Sequence, residues 1–319
     1  MRSFIYIIGV AMVLLSSCSK EDPIEVQVDD TRYYFEPTPE RTDDEALLRR
    51  AFYDKYDIHL IFSDTLRHDS ICPDFNGDTH YFTECIDMYY SVGNYSSGST
   101  QNTYKLFTNM EQKYKATKYL EEQIQPHFSE HMRPFSWLLV NDIAERTSST
   151  SKWTYPYAIT GERCIAIALS TFFKLTPARV PAFTQQVLNI IAAKMAKNNT
   201  KALESFYEVS NVYYKQTFTE GDISNDENTK ILREAGFFSR GKNAIGNATN
   251  GVYPDNEVDV ADYVRLTIAN TPEAIHKQYA DYPLILRKDS IIRNLLEERG
   301  FIYNPEVPTD IVTDAFYKE

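Results

Sequence analysis

Only six His and four Cys are spread over the 319 residues, so any metal or nucleophile site has to be built from individually named positions. His127-Phe128-Ser129-Glu130-His131 matches His-x-x-Glu-His, the inverted zinc-protease pattern. That pattern works when two imidazoles one turn apart on a helix hold zinc and the glutamate sits beside a metal-bound water. Pro126 precedes the first His and Pro134 closely follows the second, which leaves room for about two helical turns. A surface His pair is the competing explanation. Ser149 and Lys152 have the Ser-x-x-Lys spacing, but in a Thr/Ser-rich stretch and not at a helix start, so a polar loop accounts for them. Asp74-Phe75-Asn76-Gly77-Asp78 alternates oxygen donors like the opening of a calcium loop. Its glycine falls at the fourth position instead of the sixth, as in an Asx-rich turn. Asp255, Asn256, Glu257 and Asp259 read as a solvated helix start, where carboxylates favour the exposed amides. Gly-x-Gly-x-x-Gly, Walker and Gly-x-Ser-x-Gly patterns are absent from the sequence, which removes the common signals for nucleotide binding and serine hydrolysis.

The balance of charge narrows the partners. Thirty-three Lys and Arg against 45 Asp and Glu give a formal charge of −12, so a grip on nucleic-acid phosphates has no electrostatic basis. Arg2, an apolar run over 4–15 and then Ser16-Ser17-Cys18 form a charged-then-apolar segment too short to span a bilayer, as in a secretion signal. Leu15-Ser16-Ser17-Cys18 resembles the lipobox of bacterial lipoproteins, in which the Cys becomes the lipidated first residue of the mature chain. Ser19-Lys20-Glu21-Asp22 resembles the surface-export signal of Bacteroidetes lipoproteins. The resemblance implies acyl chains on Cys18 that would anchor the chain to the outer membrane, facing the cell exterior, each buried methylene adding roughly 0.8 kcal/mol. Losing Arg2 with the signal takes the formal charge from −12 to −13, which holds the body off anionic lipid. Of the remaining Cys, Cys72 and Cys85 flank turn-forming residues, and a bridge between them would contribute roughly 3 kcal/mol. The unbridged pair is the alternative. Cys164 reads as a small buried hydrophobe in a strand.

The elements that would position these residues follow from periodicity. Residues 19–45 are charged and carry Pro37 and Pro39, as a tether would. A helix is expected over 45–56 and a strand over 59–62, with a loop at 93–103. Asn109 caps a helix that runs to about Gln125, with Tyr114, Tyr119, Leu120 and Ile124 on one stripe and Pro126 ending it. Apolar runs at 135–140 and 164–170 predict two buried strands of one sheet. Pro181 opens a helix to about Lys197, a second is expected over 202–218, and 220–228 is an acidic loop. Helices over 258–269, 272–279 and 284–299 close the chain, the last ended by Gly300. The expected organisation is therefore a signal at 1–17, a lipidated tether at 18–44 and a single α+β domain at 45–319.

This layout resembles the import-associated zinc metallohydrolase (metallopeptidase) lipoproteins of Bacteroidetes. Two buried strands are followed by the helix opened by Pro181, by Gly236-Phe237-Phe238-Ser239, and by Asp259-Val260-Ala261-Asp262-Tyr263 before a Leu/Arg-rich terminal helix. The resemblance covers roughly residues 45 to 305 and is one of layout. It implies a zincin-like domain: a small mixed sheet followed by a mainly helical half. In that family the helix after the strands carries His-Glu-x-x-His and a later segment supplies the third ligand. Carried over position by position, the first His falls on Asn189, the Glu on Ile190, the second His on Ala193, and the third ligand on Asp262. Of these only Asp262 keeps a metal-binding group, and Ile190 has no proton acceptor to serve as a base. Without any relative in view, Phe183, Val187, Leu188, Ile191 and Met195 still form a core-facing stripe. No His lies anywhere in 132–275, a span that includes this helix.

The resemblance therefore implies a degenerate member with no cofactor expected: a non-catalytic surface accessory of a SusC/SusD-type TonB-dependent importer of glycan or peptide. Two alternatives stay open: an active zinc hydrolase built on His127, Glu130 and His131, and a purely structural subunit of the transporter complex. The aromatic content suggests a ligand platform at Trp153, Tyr155 and Tyr157, with core or edge packing as the competing role. The anchor is the most direct expectation to check. In growing cells the wild-type chain should incorporate labelled palmitate and Cys18→Ala should not; equal labelling of the two would contradict the lipobox.

Overall fold

The computed structural model describes residues 34–70, 75–88, 100–198, 200–218, 225–241 and 251–317. Signal residues, Cys18, Cys72, Asp74, Tyr89 and Tyr90 lie outside them. The central strands are β1 (His59–Ile61), β5 (Ser136–Val140), β7 (Ala158–Thr160) and β8 (Cys164–Ala168). They form one sheet in the order β1-β5-β8-β7. β1, β5 and β8 run parallel, with Ser136 opposite Cys164, while β7 is an antiparallel edge. The continuous apolar sequences of β5 and β8 follow from this placement, because both faces are covered. Leu60, Trp137, Leu139, Ile165 and Ile167 face the helical layer, and Ile61, Leu138, Val140, Cys164 and Ala166 join a second cluster with Met88 and Ile143. Trp137 buries its indole without losing a hydrogen bond, donating to Gln125 Oε1 at 2.9 Å.

Smaller strands, β2 (Thr65–Ser70), β3 (Tyr81–Cys85), β4 (Gln101–Lys105), β6 (Asp142–Arg146), β9 (Thr217–Phe218) and β10 (Gly251–Val252), pair as β2-β3, β4-β6 and β9-β10. The polar stretch between the two expected strands thus contains β6 and β7, and 101–103 of the expected loop belong to β4. Helices are α1 (Asp44–Tyr56), α2 (Met110–Tyr119), α3 (Val180–Lys197), α4 (Thr200–Glu208), α5 (Asn225–Glu234), α6 (Asn256–Ala269), α7 (Pro272–Gln278) and α8 (Pro283–Arg299). The result is mixed α+β with small sheets, as expected at that level. Asn109 caps α2 by accepting from Gln112 N at 2.9 Å, and Gly300 ends α8 with φ +99°. The helix expected over 202–218 instead stops at Glu208. Lys215 takes φ +60°, and the chain turns back so that Phe218 can pair with Gly251 in β9-β10. A helix, α5, starts inside the expected acidic loop.

The helix from Asn109 does not reach Gln125 as regular α-helix. Leu120–Ile124 forms a π-turn, in which Gln125 N–H donates to Leu120 O, and a 3-10 turn carries the chain into Pro126. The wider turn aims Glu121 inward. Its carboxylate, fully buried, accepts from Tyr56 OH, from Val312 and Thr313 N–H, and from the Thr313 hydroxyl. Helix α1, the π-turn and the C-terminal turn are tied together at this one side chain.

The compact unit begins at Phe35, earlier than the expected residue 45. Phe35 O accepts from Arg49 Nη2 at 2.8 Å, and its ring meets Phe135 edge-on and tilts against His59. Residues 35–44 of the expected tether therefore belong to the globule. His59 itself is buried, stacked on Tyr53 at 4.6 Å and edge-on to Phe135. Burial, reinforced by the Arg49 guanidinium, holds its imidazole down at about 4. A histidine whose folded value lies below the unfolded one (~6.5) releases its proton on folding, so stability rises with pH across that window and is lost as pH falls from ~6.5 towards 4. The shift corresponds to up to ~3 kcal/mol. Denaturant titrations at pH 7 and 4.5 should show wild type losing more stability than His59→Phe between the two; parallel losses would count against the buried neutral imidazole.

Candidate functional site

Helices α3 and α6 pack against each other, and Lys197 at the end of α3 reaches Glu257 at the start of α6 at 3.4 Å. Both helices bury an apolar stripe, Phe183, Val187, Leu188 and Ile191 on α3, and Val260, Tyr263 and Val264 on α6. The four positions at issue lie on this pair. Ile190 and Ala193 are half-buried and pack against the core. Asn189 Oδ1 and Asp262 Oδ2 are buried oxygens with no hydrogen-bond partner among the described residues. Asp262 Oδ1 accepts from Arg265 at 2.6 Å. Zinc does not fit these residues: it takes three nitrogen, sulfur or carboxylate ligands from the protein, and here one carboxylate stands with an amide and two alkyl groups. What the arrangement offers is two unpartnered buried oxygens, with no titratable side chain at Asn189, Ile190 or Ala193.

Beside it lies a constellation that spacing did not disclose. Lys288 of α8 is fully buried. Its ammonium donates to Asp259 Oδ2 at 2.7 Å and to Gly236 O at 3.1 Å. Four rings surround it, Phe237 at 4.2 Å, Phe206 at 5.0 Å, Tyr214 at 5.3 Å and Tyr263 at 5.4 Å from the nitrogen. Desolvation lowers the Lys288 ammonium from its ordinary value and raises the Asp259 carboxyl, each partly offset by the other's charge. Tyr214 OH donates to the same Asp259 oxygen at 2.5 Å, and burial beside that carboxylate drives its phenol up. Gly236 sits where only glycine fits: φ is +81°, and a Cβ would stand 2.9 Å from Ser210 Oγ. Its carbonyl also accepts from Tyr263 OH at 3.0 Å. Asp259 is therefore no solvated helix-start residue, as its sequence position suggested. Asp255 caps the helix by accepting from Val258 N–H, and Glu257 is an exposed carboxylate of the first turn as expected. The signal that could have found the pair is Lys288 itself, which falls at helical spacing with Ile285, Ile292, Leu295 and Leu296 on the buried face of α8, a face that also carries Asp289 and Arg293.

Other expected sites are dispersed. His127 lies in the 3-10 turn, its Nδ1 2.7 Å from Ile302 O and its ring stacked on Phe301. Glu130 and His131 fall on an exposed turn after it, so the helix needed for an inverted zinc pattern is missing. Among the described residues no three His, Cys, Asp or Glu side chains group as metal ligands. Trp153, Tyr155 and Tyr157 do not form one platform. Arg146 lies over Trp153 at 4.6 Å and Tyr155 is exposed, whereas Tyr157 turns inward, edge-on to Phe183 at 5.1 Å. Thr154 between them bridges to Glu145, which splits the run. Cys85 is exposed at the end of β3 opposite Thr65, and burial pushes the Cys164 thiol up to about 12. Ser149 and Lys152 are exposed in a loop, and Gly77 has φ +86° in a turn with Phe75 fully exposed. No family model, curated protein or solved structure matches the chain.

The buried pair generates its own test. Lys288→Met leaves Asp259 uncompensated and should lower stability by about 3–5 kcal/mol, while adding Asp259→Asn should recover a large part of that loss. Additive losses in denaturant unfolding would contradict the coupling.

Proposed function

We propose that this chain is a surface-exposed, lipid-anchored accessory of a SusC/SusD-type TonB-dependent importer, built on a metallopeptidase-like frame that no longer performs metal chemistry. The observation that supports it most is the α3–α6 pair. The positions where the resembling family holds zinc lie on two helices packed together, and they carry an amide, two alkyl side chains and a single carboxylate. A small mixed sheet with an antiparallel edge precedes this helical half, in the order the resemblance implies. Among the described residues no helix is long and apolar enough to cross a membrane, so on this proposal attachment rests on the acylated Cys18.

Without a base or metal, such a protein contributes by holding a partner or a nutrient. Affinity purification of the tagged full chain from native outer membranes should recover a TonB-dependent barrel and its paired lipoprotein. Recovery of the chain alone would contradict the accessory role. Zinc measured on the same preparation should be substoichiometric; one zinc per chain that disappears in His127→Ala would favour a hydrolase instead.

A further inference from the structure

A groove with a volume of about 730 Å³ lies between α2, the π-turn and residues 172–180. Its floor is aromatic and braced. Phe172 packs on Tyr119 at 4.4 Å between ring centres and on Phe173 at 5.6 Å, and Phe173 meets Phe107 edge-on at 5.8 Å. Tyr119 is fixed in turn through its hydroxyl, 3.1 Å from Thr184 Oγ1. Rings held on both sides present their remaining edges and faces at little entropic cost.

Planar polar groups stand on the rim. Gln112 Oε1 accepts from Thr108 N at 2.9 Å and from Thr108 Oγ1 at 3.2 Å, which leaves the amide nitrogen as the end that can donate outward. The π-turn supplies Glu122 and Gln123: with Glu121 drawn inward to the C-terminal turn, these next two residues line the groove. π-turns of this kind recur where a helix must present side chains out of regular phase. Lys115 and Lys118 are matched by Glu111 and Glu122, so the lining carries no net formal charge.

We propose that this groove is a binding site for a neutral saccharide. A sugar ring has an apolar C–H face for the Phe172–Phe173 floor and hydroxyls that both donate and accept, which the rim amides, carboxylates and ammoniums answer. Charge balance argues against an anionic polymer. An extended peptide would seek open backbone donors and acceptors, whereas the walls here are helical and the backbone is committed to its own turns. The inference names the ligand class for the accessory role proposed above and rests on that role for its biological setting, while the site stands on the groove chemistry.

The test is affinity electrophoresis of the purified full chain in native gels containing starch, dextran, xylan, mannan or mixed-linkage β-glucan. Alginate serves as the anionic arm and a casein digest as the peptide arm. At least one neutral polysaccharide should retard the wild type. Phe173→Ala and Gln123→Ala should each weaken that retardation about tenfold, the scale of one lost aromatic or polar anchor. Gln123→Ala lies on the surface of the π-turn and should keep the wild-type Tm, which separates lost binding from lost folding. No retardation by any neutral polymer, retardation by alginate or the digest alone, or undiminished retardation of both variants would overturn the assignment. None of these outcomes bears on co-purification with a transporter, so the site and the accessory role fail separately.

Discussion

A lysine ammonium with no access to water organises the C-terminal half of this protein. Removing such a charge from solvent is costly unless a counter-ion, hydrogen bonds and polarisable surfaces replace the water. Lys288 meets that demand with Asp259, with the carbonyl of Gly236 and with four aromatic rings. Each requirement fixes a different stretch of chain. Asp259 orients α6, Phe206 comes from α4, Tyr214 from the turns after it, and Gly236 and Phe237 from the end of α5. Since α6 is also the helix that packs on α3, the geometry of the α3–α6 face depends on a pair buried behind it. Much of the aromatic abundance of the sequence is absorbed here and in the Phe172–Phe183 cluster, where Phe172 and Phe173 stay partly buried at the edge of the groove beside the π-turn.

Elements with strong periodicity or clear punctuation were legible in the sequence. Pro181 near the start of α3, the Asn109 cap and the Gly300 stop all act through local backbone chemistry and need no tertiary partner. What escaped depends on distant residues. The β2-β3 hairpin and the long-range β4-β6 pair are short and largely polar, so their pairing leaves no long apolar run to detect. The end of α4 and the strand at Thr217–Phe218 depend on Gly251, far along the chain. The π-turn at Leu120–Ile124 has the apolar spacing of an ordinary helix, and only the inward pull on Glu121 from Tyr56, Val312 and Thr313 sets it apart. Among candidate sites, the amide and alkyl side chains of Asn189, Ile190 and Ala193 were legible in the sequence, and the structure adds that their helix packs on α6. Tyr157, grouped by spacing with Trp153 and Tyr155, turned inward because Phe183 offered it core packing.

Two surfaces then remain with distinct characters. The α3–α6 pair carries buried oxygens of Asn189 and Asp262 without a hydrogen-bond partner among the described residues. The groove beside the π-turn is aromatic-floored and electrically balanced.

Under the proposed function, α3 and α6 would hold the frame of a zinc site whose ligands have been replaced. Rebuilding those ligands tests it most directly. Zinc binding would be measured by calorimetry on the combined variant Asn189→His, Ile190→Glu and Ala193→His, with the wild-type chain as reference and Tm as the check on folding. If the frame is intact, the rebuilt protein should bind about one zinc per chain, and adding Asp262→Ala should weaken binding at least about tenfold by removing the third ligand. A folded variant that binds no zinc, or binds it equally well without Asp262, would contradict the metallopeptidase-like placement of these two helices.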